Sequence, residues 1–327
     1  MENLFPDVIG QDAAKKKLAF YLNSYHSTRI MPNLMLCAPK GQGKSMLARE
    51  AAKQLYLYED GKPVLKENGK VKKKTFLEIN ASTIKGVRQF VNNVLVPHVV
   101  DKDVTVFIDE ASEIKKDVTM SLLTLLNPNA TNKNTFVYDD YACDIDFSRQ
   151  TFIFATSESH SVFAPLMDRL TRVDLEDYSY SHLGQIVQKA APEVKFKDDV
   201  LLEVATVLRG NARQAVKTAG DIKTYLCGGK EFGKQDWQKL IGLLSILPLG
   251  LSPIELNLLR FMRQNSDGSS LTNLAAKTGL SREAVQKDYE TYLQKHSLME
   301  ITAGKGRTIT GKGLDYLKGF EAQPQAA

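Results

Sequence analysis

Residues 37–46 read CAPKGQGKSM, follow the apolar run Leu34-Met35-Leu36 and lead into the helical pattern SMLAREAAKQL. A strand that hands two glycines, a lysine and a serine to the start of a helix leaves few architectures open. The segment from Ala38 to Ser45 has the spacing of a phosphate-binding loop. There Gly41 and Gly43 let backbone N–H groups curl around phosphate oxygens at a helix N-terminus. Lys44 is placed to neutralise the β- and γ-phosphates and the Ser45 hydroxyl to hold Mg2+; Gln42 and Met46 complete the nucleotide-binding set. Ala38 stands where the pattern usually opens with glycine, which alanine can serve if that position needs no positive φ. A plain glycine turn between strand and helix is the competing reading.

A second motif, VTVFIDEAS, is an apolar strand ending in Asp109-Glu110. A buried strand can deliver a carboxylate to its carboxyl end, where Asp109 would bind the magnesium water shell and Glu110 would polarise an attacking water. Acidic residues also favour helix starts, so capping is the alternative. The strand-type runs LMLC (34–37), FLEIN (76–80), VTVFID (104–109) and TFIFAT (151–156) alternate with stretches of helical period after a first helix over 12–24. That alternation predicts an α/β domain with a parallel sheet and crossover helices.

From Ser181 the apolar spacing turns to three and four residues in HLGQIVQKAA, DDVLLEVATVL and ARQAVKTAGDIKTYL, which predicts a small helical domain. Proline and glycine in LPLGLSP punctuate the chain before a third unit. At 327 residues, with 43% apolar residues, three cores are affordable in size. The formal charge of +5 tolerates nucleic acid without demonstrating it. Cys37, Cys143 and Cys227 lack paired spacing and read as buried thiols of a reducing compartment. The start MENLFPDVIGQD has no basic stretch followed by an apolar core, and no run suits a membrane span, so a cytoplasmic location is expected.

In the third unit, residues 270–313 read helix, glycine turn, helix, then a hairpin with AGKGR at its tip, the layout of a winged helix. Ser281 can cap the second helix, whose Arg282, Gln286 and Lys287 are polar while Ala284, Val285 and Tyr289 can pack inward. Lys305 and Arg307 fall in the wing, where positive charge can approach a phosphate backbone. Arg282, Lys287, Lys305 and Arg307 are the candidate DNA contacts, although winged helices also bind proteins. DGKPVLKENGKVKKKTF places lysines 62, 66, 70, 72, 73 and 74 around Asp-Gly and Asn-Gly turns, an inserted hairpin that is either a phosphate contact or a soluble edge. Residues 132–147 alternate about an Asp-Asp centre, as a protruding hairpin does.

Taken with TFIFATSES, APLMDRL and RGNAR in that order, the two phosphate motifs resemble the AAA+ ATPases, and among them the RuvB Holliday-junction branch-migration family, over almost the whole chain. The resemblance implies that Thr156 senses the γ-phosphate, that Arg169 is an arginine finger for a neighbouring subunit, and that Arg213 is a second sensor on the lid. It places Val8, Ile9 and Tyr178 on the adenine side. It further implies ATP and Mg2+ as cofactors, a homo-hexameric ring on branched or duplex DNA, and a RuvA-like partner docked through the 132–147 hairpin. That hairpin is acidic here and can also be an ordinary solvated one. Met167 and Leu170 stand where arginine and phenylalanine are expected around the finger, and Asn211-Ala212 where Thr-Pro is.

The resulting expectation is an ATPase core over 1–176, a helical lid over 177–247, a winged helix over 248–320 and an unordered tail over 321–327. The function expected is that of an ATP-driven, ring-forming DNA motor. Two competitors stay open: an initiator or loader ATPase that uses ATP as an assembly switch, and a winged-helix regulator whose nucleotide core has no motor role.

Overall fold

A computed structural model describes residues 4–265 and 267–321, so the predicted tail lies outside the described residues from 322 on. In chain order the strands of the first part are β1 (Leu34–Cys37), β2 (Thr75–Asn80), β3 (Val104–Asp109), β4 (Lys133–Tyr138), β5 (Tyr141–Asp146), β6 (Gln150–Thr156) and β7 (Thr171–Asp174). Five of them form one parallel sheet in the order β2-β3-β6-β1-β7. β4 and β5 make the separate antiparallel hairpin that alternation predicts, turning at Asp139-Asp140.

Side chains leave a strand on alternate sides, and both sides of this sheet are covered. Met35, Val104, Val106, Ile108, Phe152 and Phe154 share one apolar cluster with Phe90 and Leu95, and with Leu122 and Leu125 of α3 (Lys116–Leu125). Leu34, Leu36, Phe107, Ile153 and Ala155 share the other with Leu18 and Leu22 of α1 (Asp12–Thr28) and Leu47 and Ala51 of α2 (Lys44–Ala52). Each fully buried Leu, Ile or Phe contributes about 1.5–3 kcal/mol, so the central strands hold the sheet. β7 is absent from the sequence reading because only Val173 of TRVD is buried; Arg172 and Asp174 pair with each other on its exposed side.

Compactness divides the chain into two units: one runs through Ala190 and includes Gly210–Thr218, the other comprises Ala191–Arg209 and the chain from Ala219. The helical and winged-helix segments expected as separate domains therefore fall largely in one unit. In it, α4 (Ala212–Leu226) contributes its later turns, and the winged helix follows: α5 (Pro253–Gln264), α6 (Leu271–Thr278), a helical stretch over 282–295, the wing strands β8 (Met299–Thr302) and β9 (Gly306–Ile309), and α7 (Gly311–Glu321).

Serines cap three of these helices. Ser252, Ser270 and Ser281 accept backbone N–H bonds from Glu255, Asn273 and Ala284. Each such cap contributes about 1 kcal/mol. Leu259, Met262, Leu274, Val285, Leu293 and Leu317 form the core between them. Ser269 bridges to Arg307, adding a third strand segment to the wing. Gly268 (φ +99) permits it, since a Cβ there would lie 2.1 Å from the Lys305 carbonyl oxygen. Arg209 donates both terminal nitrogens to the fully buried Glu255 at 2.8 Å and lies 3.7 Å over the Tyr292 ring.

Cys37 and Cys143 are buried, and burial pushes both thiols above their ordinary pKa. Cys227, expected to be buried as well, is exposed beyond the end of α4.

Candidate active site

The loop between β1 and α2 curls as its glycines demand, with Gly41 at φ +82 and Gly43 at φ +89, conformations that side chains with a Cβ rarely adopt. Ala38 has no positive φ, and its N–H donates to the Thr156 carbonyl at 3.2 Å, so alanine serves there. Lys44 is 9% exposed, with Nζ donating to the Ala38 and Pro39 carbonyls at 2.6 and 3.0 Å. Burial lowers its pKa, and Asp109 opposes that shift.

β3 carries Asp109 to the same end of the sheet, where the Ser45 hydroxyl donates to its Oδ2 at 3.3 Å. Glu110 follows in a left-handed conformation (φ +55), its N–H donating to Asp109 Oδ1 at 2.9 Å. Asn80, at the end of the neighbouring β2, donates its amide to Glu110 Oε2 at 3.1 Å. Thr156 ends β6 with its hydroxyl accepting the Glu158 N–H.

Gly43, Lys44, Ser45, Asp109, Glu110 and Arg213 line one cleft of about 740 Å³, with Gly41 and Met46 beside them. Lys40 and Lys217 add positive charge to its walls, Arg49 is paired there with Glu78 at 2.7 Å, and Ser157 lines the cleft directly after Thr156. Arg213 enters from the start of α4, where its backbone N–H donates to the Gly41 carbonyl. Asn211 accounts for this seating. Its Oδ1 accepts from the N–H groups of Arg213 and Gln214, and its amide donates to the Lys40 carbonyl. Asparagine thus caps the helix and grips the loop at once, which explains how this chain manages without Thr-Pro.

The adenine-side assignments are placed differently. Val8 is buried in the apolar cluster with Leu18 and Leu34, and Ile9 is half-buried. Tyr178, pushed up in pKa by burial, donates to the Gln42 carbonyl at 3.1 Å. Gln42 in turn donates to the Gly210 carbonyl at 2.9 Å. None of Val8, Ile9, Gln42 and Tyr178 is among the residues lining the cleft; the last two brace the loop from behind.

Arg169 stands apart from the cleft of its own chain. Its guanidinium donates to the Leu123 and Pro165 carbonyls at 3.1 and 2.8 Å and to Asn127 Oδ1 at 3.3 Å. Met167 packs against the sheet's apolar face and Leu170 is buried in it, so both departures from the expected finger surroundings serve the core.

In the winged helix, Arg282, Lys287 and Lys305 are exposed, with Lys287 paired to Glu283 one turn away. Arg307 departs from its expected role as a DNA contact. It makes a two-pronged bond to Glu290, at 2.8 and 3.1 Å, and Glu290 is 2% exposed. A buried carboxylate demands such a partner, so Arg307 ties the wing to the helix beneath it.

The Ser45–Asp109 pair fits Mg2+: a hydroxyl and one carboxylate are hard oxygen donors, and Mg2+ takes its remaining ligands from phosphate and water. Asn80 and Ser157 were given no role by sequence reasoning, and Asn211 only that of a departure from Thr-Pro, since no spacing exposes the contacts they make.

A P-loop at the mouth of a parallel sheet, an Asp-Glu pair two strands away and an arginine from a helix beyond are features of AAA-type ATPase sites, and residues 34–178 match that family (ATPase family associated with various cellular activities). Residues 248–318 match the RuvB C-terminal winged helix domain, and along its length the chain is similar to RuvB proteins. Curated relatives agree. The Holliday junction branch migration complex subunit RuvB of Ehrlichia canis is 24% identical over 340 residues, 97% of this chain and 92% of the relative. That of Thermotoga maritima is 25% identical over 322 residues, 95% of this chain and 90% of the relative. The solved Thermotoga maritima RuvB Holliday junction branch migration motor has the same fold, with a TM-score of 0.73 at 22% identity, covering 97% of this chain and 99% of that one. Among the described residues, no helix is long and apolar enough to cross a membrane.

Proposed function

We propose that this protein is an ATP-driven DNA motor that moves the arms of branched DNA during recombination and repair. The observation that carries the reading is the seating of Arg213 and the phosphate loop in one cleft, in a chain that ends in a RuvB-type winged helix. ATP binds with its phosphates on Gly41, Gly43 and Lys44. Ser45 and Asp109 would hold Mg2+, whose chemistry there would be to neutralise charge on the phosphates. Glu110 orients and polarises the attacking water, with Asn80 fixing its carboxylate, and Thr156 and Arg213 register the γ-phosphate.

Arg169 completes the site of a neighbouring copy in a homo-hexamer. Its separation from its own cleft and its tether to the end of α3 support that role. Lys305, Arg282 and Lys287 contact DNA phosphates, and the acidic β4–β5 hairpin receives a RuvA-like partner. The lid and winged helix act as domains over 177–247 and 248–320, and the protein works in the cytoplasm.

The test is ATP-dependent dissociation of a synthetic four-way junction by the purified protein. Dissociation that disappears in Lys44→Ala establishes a self-sufficient motor. Single-round hydrolysis with the junction left intact replaces this reading with that of an assembly switch.

A further inference from the structure

We infer that the lysine-rich hairpin of the first unit is a second contact for the phosphate backbone of duplex DNA, separate from the winged helix. This inference rests on the DNA reading above. Residues 56–73 fold back on themselves: Tyr58–Glu59 pairs with Lys62–Pro63, Tyr56 bridges Lys73, Leu65 bridges Val71, and the Lys66 N–H donates to the Lys70 carbonyl. Strand alternation puts Lys66, Lys70 and Lys72 on the face opposite Leu65 and Val71.

Lys62, Lys66, Lys70, Lys72 and Lys73 are all exposed, and among the described residues none of them forms an ion pair. Some exposed lysines of this unit are paired locally, as in Lys53–Glu50 and Lys189–Asp7, and others such as Lys16 and Lys85 are single, but the hairpin gathers five on one short ribbon. Glu59, Asp60 and Glu67 lie on the same ribbon, yet among the described residues none of them forms an ion pair with its lysines, and the balance stays positive. A groove of about 300 Å³ runs along its base, where Lys72 and Lys73 meet Lys102 and His98. The one carboxylate there, Asp103, is already held by Arg149.

The platform is stiff. Tyr25 donates to the Tyr56 carbonyl at 2.5 Å, Arg29 lies 3.5 Å over the Tyr58 ring and donates to the Gly61 carbonyl, and buried Lys74 donates to the Ser148 carbonyl. Unpaired ammonium groups on an ordered ribbon suit a regularly spaced polyanion, because the backbone that carries them is already ordered before binding. Lysine supplies point charges without base readout, so the contact adds affinity and leaves sequence preference unchanged.

The experiment measures duplex affinity of the full-length protein from 50 to 200 mM salt for wild type, for the triple variant Lys66→Gln/Lys70→Gln/Lys72→Gln, and for Lys305→Ala. Each phosphate contact contributes about 0.9 to the slope of log affinity against log salt, so the triple variant should lose about 2.7 of slope and at least about tenfold in affinity. Its melting temperature and DNA-independent ATP hydrolysis should match wild type, because the three side chains lie on the surface. A wild-type slope in the triple variant, with Lys305→Ala still weakened, overturns the hairpin contact alone and leaves the ribbon to an acidic protein. Absence of DNA binding by the wild type overturns both this inference and the DNA reading beneath it.

Discussion

Glu110 owes its position to a left-handed backbone and to the amide of Asn80, 3.1 Å away. Replacing Glu110 with glutamine keeps the shape and removes the charge proposed to polarise water. ATP should still bind while turnover in a steady-state phosphate-release assay falls by about 10²-fold or more. Asn80→Ala leaves the carboxylate intact but loosely held, so kcat should drop about tenfold with KM little changed, the pattern of a positioning residue. Lys44, Ser45, Asp109 and Glu110 are legible in the sequence because each belongs to a run of adjacent residues on a strand end or a loop. The contacts of Asn80 and Asn211 are not, since they span 30 and 171 residues, and Asn211 shows in the sequence only as a departure from Thr-Pro. The wing misled for the same reason: Arg307 reads as a surface cation until Glu290, 17 residues earlier, is found beneath it.

Among the elements, the central strands were readable because burial on both faces makes them continuously apolar, whereas β7 has a single buried side chain and gives no such signal. Two elements yield predictions. Lys74, where the basic hairpin joins β2, has its pKa lowered by burial to about 8, while an unfolded lysine titrates near 10.5. Between those values the unfolded chain binds the extra proton, so stability should rise as pH climbs from about 8 towards 10. Above 10 the buried Tyr25, whose pKa is raised by burial, reverses the trend as unfolded tyrosine ionises. Lys74→Met should flatten the rise, an effect of at most about 3 kcal/mol, in chemical denaturation at several pH values. In the wing, Arg307→Met strands the buried Glu290 and should cost about 3–5 kcal/mol of unfolding free energy. Adding Glu290→Gln should restore much of that loss, and Lys305→Ala should leave the melting temperature unmoved.

At the scale of the whole molecule, the proposed role of Arg169, which stands outside its own cleft, would make hydrolysis a property of neighbouring copies. Arg169→Ala and Lys44→Ala should each be inactive alone. Mixed in equal amounts, they should regain turnover at about a quarter of the interfaces, where an intact cleft meets an intact finger. No recovery in a coupled ATPase assay would return Arg169 to a structural role. The order of the units was legible from shifts in apolar period. Their compactness was not, because the first turns of α4 pack with the phosphate loop through Asn211, a contact no periodicity records.

The unequal burial of the three thiols has a practical corollary. Cys37 and Cys143 are shielded and hard to ionise, whereas Cys227 lies open just past the lid helix that carries Arg213. A maleimide fluorophore should therefore attach at Cys227 alone, verifiable by intact mass, with Cys227→Ser remaining unlabelled. The native chain thus offers a dye position at the end of α4 from which any response of that helix to nucleotide can be read without engineering a single cysteine.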